Sequence, residues 1–107
     1  MTYETVITAL ADPTRRTILE TLRSEGEISV GALAARLPVS RPAVSQHLRV
    51  LSEAGLLRVR IEGTRRVYRL DPGGAEELRA WLDAMWSDAL RGFAAEASRR
   101  ANSRKKD

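Results

Sequence analysis

From Ser40 to Arg49 the chain reads Ser-Arg-Pro-Ala-Val-Ser-Gln-His-Leu-Arg, a run whose polar members are residue types that recognise rather than react. At about 100° per residue, Val44, Leu48 and Leu51 share one side of a helix. Pro42, Ala43, Ser45, Gln46 and Arg49 fall on the opposite side, with Arg41 in the first turn. An amide can bond N6 and N7 of adenine, a guanidinium O6 and N7 of guanine, and small apolar groups the thymine methyl. A solvated helix face accounts for any one of these residues. The set together matches the base edges of a DNA major groove.

Other chemistry is scarce. The 107 residues contain no cysteine and one histidine, which excludes disulfides, iron-sulfur clusters, thiolate zinc sites and a cysteine nucleophile. His47 falls beside the apolar face, so it is read as a half-buried hydrogen-bonding residue rather than a base contact. A lone imidazole without nearby carboxylates does not complete a tetrahedral metal site. No nucleophile, base and orienting group occur at recognisable spacing, and no glycine loop suits a phosphate. The expectation is a protein that is not an enzyme and uses no metal or cofactor. No apolar run reaches the roughly 18 residues of a membrane span, and the start, Met1-Thr2-Tyr3-Glu4, lacks a secretory pattern. The expected compartment is the cytoplasm, with no membrane partner.

The elements that must position the reading face follow from caps and periodicity. Tyr3, Val6, Ile7 and Leu10 lie at helical spacing, and Asp12-Pro13 restarts a helix that carries Ile18, Leu19 and Leu22 and ends near Gly26. Glu27-Ile28 is a short extended piece. Ser29 caps a brief third helix with Leu33 and Leu37, which stops before Pro38. Ser40 then caps the fourth helix, with Pro42 in its first turn and Gly55 closing it. Helix, tight turn, helix is the spacing of a helix-turn-helix. Leu57 to Ile61 alternates apolar and cationic residues, Glu62-Gly63-Thr64 reads as a turn, and Arg65 to Leu70 returns the chain as a basic β-hairpin. Asp71-Pro72 starts a last helix running to about Ala97, and Ser98–Asp107 reads as a frayed, disordered basic tail. The expected fold is mainly α with a β-hairpin wing, a winged helix-turn-helix of about five helices. Residues 1–97 form the DNA-binding and dimerisation domain.

Charge follows the same division. The net charge is +4, and residues 99–107 supply all of it. Within the neutral remainder, residues 41–69 hold seven arginines against Glu53 and Glu62, a local excess of +5 flanked by acidic segments. Such asymmetry orients a polyanion, although a GC-rich genome also favours Arg. Arg65 and Arg66 at the hairpin tip sit where a wing reaches phosphates or the minor groove, with Arg58, Arg60 and Arg69 along the strands. The competing reading is an edge hairpin kept soluble by its cations.

The last helix carries Leu78, Trp81, Leu82, Met85, Trp86, Leu90 and Phe93 over about half its circumference, more than one small core requires. Together with Tyr3, Val6 and Ile7 of the first helix they suggest a two-helix interface, while some must complete the chain's own core. Gly92 marks a kink or a close helix crossing. A twofold dimer presents two reading helices to major grooves about 34 Å apart.

The blocks Ala9-Leu10-Ala11-Asp12-Pro13-Thr14-Arg15-Arg16, Val39 to Leu48, Glu53-Ala54-Gly55-Leu56 and Glu62 to Tyr68 together resemble ArsR-type winged-helix transcriptional regulators over residues 3–95. The resemblance implies that Arg41, Ser45, Gln46 and their neighbours form the reading helix. It also implies that the hairpin is the wing and that the first and last helices form a dimer interface. Metal-sensing members carry cysteines or paired His/Asp groups on the third or last helix, and Ser29–Leu37 and Leu78–Phe93 hold no such set. The pattern Trp81-Leu82…Met85-Trp86 is similar to that of a non-metal subgroup. The implied function is a homodimeric repressor on a palindromic operator in double-stranded DNA; no inducer is legible. The alternative is a winged-helix protein-interaction module with little DNA affinity.

Overall fold

The computed structural model describes residues 2–106, and the side chains of residues up to 102. The side chains of Arg104, Lys105 and Lys106, and all of Asp107, lie outside the described set. The element order is α1 (Tyr3–Leu10), α2 (Pro13–Glu25), β1 (Glu27–Ser29), α3 (Val30–Arg36), α4 (Arg41–Glu53), β2 (Leu57–Glu62), β3 (Arg65–Leu70) and α5 (Pro72–Lys106).

Local chemistry sets each boundary. Asp12 accepts hydrogen bonds from the backbone N–H of Thr14 (2.8 Å) and Arg15 (3.2 Å), satisfying orphan donors at the start of α2. Ser29 caps α3 through the Ala32 N–H, and Ser40 caps α4 through the Ala43 N–H. The last carbonyls of α1 are satisfied by arginines from the next helix. Arg15 Nε donates to Ala9 O at 2.7 Å and Arg16 Nη1 to Leu10 O at 2.7 Å. The Asp-Pro-Thr-Arg-Arg block therefore starts one helix and closes the previous one. Gly63, at φ +61, and Thr64, which has no positive φ, form the two-residue hairpin turn, the pattern of a type II′ turn.

β2 and β3 pair antiparallel from Leu57↔Leu70 to Glu62↔Arg65. β1 adds to the other edge of β3, with Ile28 opposite Tyr68, so the sheet order is β1-β3-β2. The extended piece expected at Glu27-Ile28 thus anchors the wing to the helix-turn-helix. The core joins Val6, Ile18, Leu22, Leu33, Val44, Leu48 and Leu51, each at most 1% exposed. Val44, Leu48 and Leu51 are the inward face expected for α4.

Two expectations need correction. The last helix does not stop near Ala97 but continues through Lys106. Residues 98–106 contain neither Gly nor Pro, and Glu96 pairs with Arg99 (2.8 Å) and Arg100 (3.4 Å) across the proposed boundary, the spacing that supports a helix surface. Gly92 marks no crossing within one protomer, because nothing lies within 4 Å of where its Cβ would stand, and the helix runs through it uninterrupted.

Candidate nucleic-acid interface

Because α3 and the tight turn hold the buried side of α4 against the core, its other side faces outward. Arg41, Pro42, Ser45, Gln46 and Arg49 are all exposed. They form one wall of an open groove of about 1050 Å³ whose opposite wall is the hairpin, contributing Val59, Thr64, Arg65, Arg66 and Tyr68. The site residues expected on two separate elements thus share one concavity. Ser40 and Ala43 are not on the groove walls. Ser40 spends its hydroxyl as the α4 cap, and Ala43 is half-buried.

The arginines divide by function. A strand turns successive side chains to opposite faces, so Val59, Ile61, Arg66 and Tyr68 share one face of the hairpin and Arg58, Arg60 and Arg69 the other. Arg60 is held by Glu27 (2.9 Å) and Glu62 (2.8 Å), and Arg58 by Asp71 (3.2 Å). The hydrogen bond from Arg60 holds the Glu27 carboxyl below its ordinary value, while Glu27 and then Glu62 raise the Arg60 guanidinium. Asp71 is lowered first by the Gly73 N–H and then by Arg58. These strand arginines brace the wing. Arg65 sits 3.9 Å from Glu62 and Arg49 3.1 Å from Glu53. Arg41 and Arg66 make no ion pair among the described residues, so their charge is available to a ligand.

His47 is half-buried, with Arg15 Nη1 3.4 Å from its Nδ1. A guanidinium can only donate, so Nδ1 accepts, and the ring ties the α1–α2 junction to the back of α4. The sequence reading misses Ser52, Glu53, Val59, Thr64 and Tyr68 on elements it had placed, and also Ser29, Val30 and Gly31, which line the groove from the β1–α3 corner. The place of Ser29, Val30 and Gly31 depends on the β1–β3 pairing, a long-range contact without a local signature.

On the other side of the molecule Tyr3 stacks on Trp81, with ring centroids 4.9 Å apart. Leu78 and Trp81 are half-buried, whereas Ile7, Leu82, Met85, Trp86, Leu90 and Phe93 are exposed, Phe93 at 77%. Val6, expected at the dimer interface, is instead 0% exposed in the protomer core. It lies on the side of α1 that faces its own chain and leaves no surface for a partner. Among the described residues no three His, Cys, Asp or Glu side chains converge to hold a metal ion, and no helix is long and apolar enough to cross a membrane.

Comparison with known proteins agrees with this geometry. A family profile described as a helix-turn-helix domain matches residues 10–60. The chain is 59% identical over 86 residues to the HTH-type transcriptional regulator Rv2034 of Mycobacterium tuberculosis, covering 80% of this chain and 79% of that protein. Among solved structures, a possible transcriptional regulator for arsenical resistance is 50% identical, with a TM-score of 0.66 over 83% of this chain and 92% of that one. An ArsR-like transcriptional regulator from Rhodococcus sp. RHA1 is 33% identical, with a TM-score of 0.71 over 90% of both chains. These relatives are regulators rather than enzymes. The chain belongs to the ArsR family of helix-turn-helix transcriptional regulators.

Proposed function

We propose that this regulator is a homodimeric repressor that binds a short imperfect palindrome in promoter DNA and excludes polymerase by occupancy. α4 enters the major groove, where Gln46, Ser45 and Arg41 meet base edges. The wing rests Arg65 and Arg66 on phosphates or the minor groove. Residues 1–97 carry both the reading surface and the pairing surface, and the protein works in the cytoplasm. It does not sense metal through a thiolate or imidazole site, because the chain has no cysteine and its one histidine is engaged with Arg15. The observation that carries this reading is the single groove walled by the exposed face of α4 and the hairpin tip.

The test is a band shift with the DNA upstream of the protein's own coding sequence, against a scrambled duplex at equal salt. Specific complexes are expected to form about 10³-fold or more tightly than non-specific ones, with two chains per site. Equal affinity for both duplexes refutes the proposal.

A further inference from the structure

Among the described residues, one side-chain hydrogen bond joins α4 to another element, that between His47 and Arg15 of α2. The other polar side chains of α4 and its cap that form bonds do so locally, Arg49 with Glu53 and Ser40 with the Ala43 N–H. Between its two ends α4 is otherwise held by apolar packing through Val44, Leu48 and Leu51. Apolar burial is non-directional, so it keeps the helix on the core without fixing the angle at which its outer face is presented.

Arg15 supplies the missing direction. Its side chain is only 16% exposed, and Asp12 at the start of α2 stands 4.0 Å from it and balances its charge. Nε donates to Ala9 O at 2.7 Å and Nη2 to Thr8 O at 3.2 Å, both at the carboxy-terminal end of α1. Nη1 lies 3.4 Å from His47 Nδ1. All three nitrogens of one guanidinium are thus engaged with acceptors on two other helices, and its rigid plane fixes those acceptors relative to one another. His47 directly follows Gln46, so a turn of α4 that swings Gln46 across the groove also pulls Nδ1 off the guanidinium. Arg16 offers the comparison. It donates from Nη1 to Leu10 O at 2.7 Å, the same kind of bond to the end of α1, and among the described residues it bonds nothing on α4.

We propose that Arg15 is a positioning residue for DNA reading. By holding the end of α1 and His47 together, it sets the angle of α4 against the rest of the protomer, and so the angle at which two copies present their α4 helices to one operator. This rests on the palindrome-binding homodimer proposed above. Arg15 touches no DNA and acts through His47. Loss of this strut leaves the exposed face of α4 intact, so a single half-site is bound as before. Binding two half-sites at once then carries an ordering cost that the fixed helix avoids. The freed α4 also adjusts to half-sites set at the wrong separation, which the braced helix rejects.

The test uses three duplexes: an isolated half-site, the operator, and the operator lengthened by about half a helical turn, roughly 5 base pairs. The readout is the ratio of affinities for the native and the lengthened operator, with circular dichroism and urea denaturation checking that each variant folds. Arg15→Ala and His47→Ala are each expected to lower this ratio by about 5-fold or more, the scale of an ordinary coupling between sites, with half-site affinity unchanged. The double variant R15A/H47A is expected to lower it no further, since both substitutions break one bond. His47→Asn, whose amide oxygen can accept from Arg15 in place of Nδ1, is expected to keep the wild-type ratio. Arg16→Ala is expected to keep it as well, whereas a role confined to closing α1 places Arg16→Ala beside Arg15→Ala. If Arg15→Ala does not fold, His47→Ala against His47→Asn decides the matter. A ratio unchanged in the Arg15 and His47 variants, half-site and operator affinities that fall together, or equal effects of Arg15→Ala and Arg16→Ala overturn the strut and leave the homodimer standing. Wild-type protein that binds the native and lengthened operators alike overturns the rigid homodimer and the strut with it.

Discussion

Gln46 and Arg66 stand on facing walls of one groove, and their chemistry assigns them different work. An amide on α4 can distinguish adenine from the other bases, because it requires a donor and an acceptor side by side. In the function proposed above, a guanidinium without an ion pair at the wing tip is suited to phosphate, which is the same at every base pair. Gln46→Ala and Arg41→Ala are therefore expected to lose about 1 to 3 kcal/mol on the operator and little on scrambled DNA. Arg66→Ala is expected to weaken both and to lower the slope of log affinity against log salt by about one. Arg49→Ala is expected to have a smaller effect than Arg41→Ala, since Arg49 already shares its charge with Glu53 at 3.1 Å and must leave that pair to meet a base. Band-shift titrations at several salt concentrations separate the three patterns, and equal losses on operator and scrambled DNA for Gln46→Ala argue against its role in reading sequence.

Among the elements, the junction between α4 and α5 decides how the hairpin and α5 are joined to α4. Gly74 N–H donates to Gly55 O at 3.0 Å, and Asp71 N–H to Leu56 O at 2.8 Å. A Cβ on Gly74 would stand 2.5 Å from the Ala54 carbonyl oxygen and 2.8 Å from the Gly55 backbone. Those obstacles are main chain at a helix end and cannot rotate aside. Gly74→Ala is expected to destabilise the fold by roughly 1 to 3 kcal/mol, as other forced overpacking does, although alanine is the better helix former. Urea denaturation measures it, and an unchanged midpoint refutes the close approach. Gly73→Ala, which meets only the Asp71 side chain at 3.3 Å, serves as the comparison. The sequence displays Ser29, Ser40 and Asp12-Pro13 as caps because a cap is a local event, and the inward face of α4 because periodicity is local too. It does not display the need for glycine at position 74, since the opposing atoms lie about twenty residues away. For the same reason the role of β1 is hidden, being set by its register with β3. The core position of Val6 depends on which side of α1 meets its own chain, which an amphipathic stripe alone leaves open. The end of α5 is not displayed either, because a basic, polar segment reads as a frayed tail until Glu96 is seen to pair with Arg99 and Arg100.

Taken as a whole, the molecule is 70 × 26 × 22 Å, and its long dimension is set by α5, which at 35 residues spans about 52 Å. The reading groove and the apolar stripe occupy different parts of this shape, so one chain can pair with its copy while both grooves stay open. Of the seven arginines in residues 41–69, Arg41, Arg49, Arg65 and Arg66 line the groove. That charge draws the groove towards a polyanion. In the homodimer proposed above, each α4 is fixed to its core and each core to its partner, which makes the proposed dimer a rigid caliper. The separation and rotation of the two reading helices are then properties of the protein, and DNA must match them within its modest flexibility. Inserting 5 base pairs between the operator half-sites turns the second half-site about half a helical turn away from its α4. Affinity is expected to fall to that of a single half-site, on the order of 10²-fold or more, given that each lost base contact costs about 1 to 3 kcal/mol. A binding titration on the native and the lengthened operator gives the ratio. Equal affinities mean that the two reading helices are not rigidly coupled and that each chain binds its half-site independently.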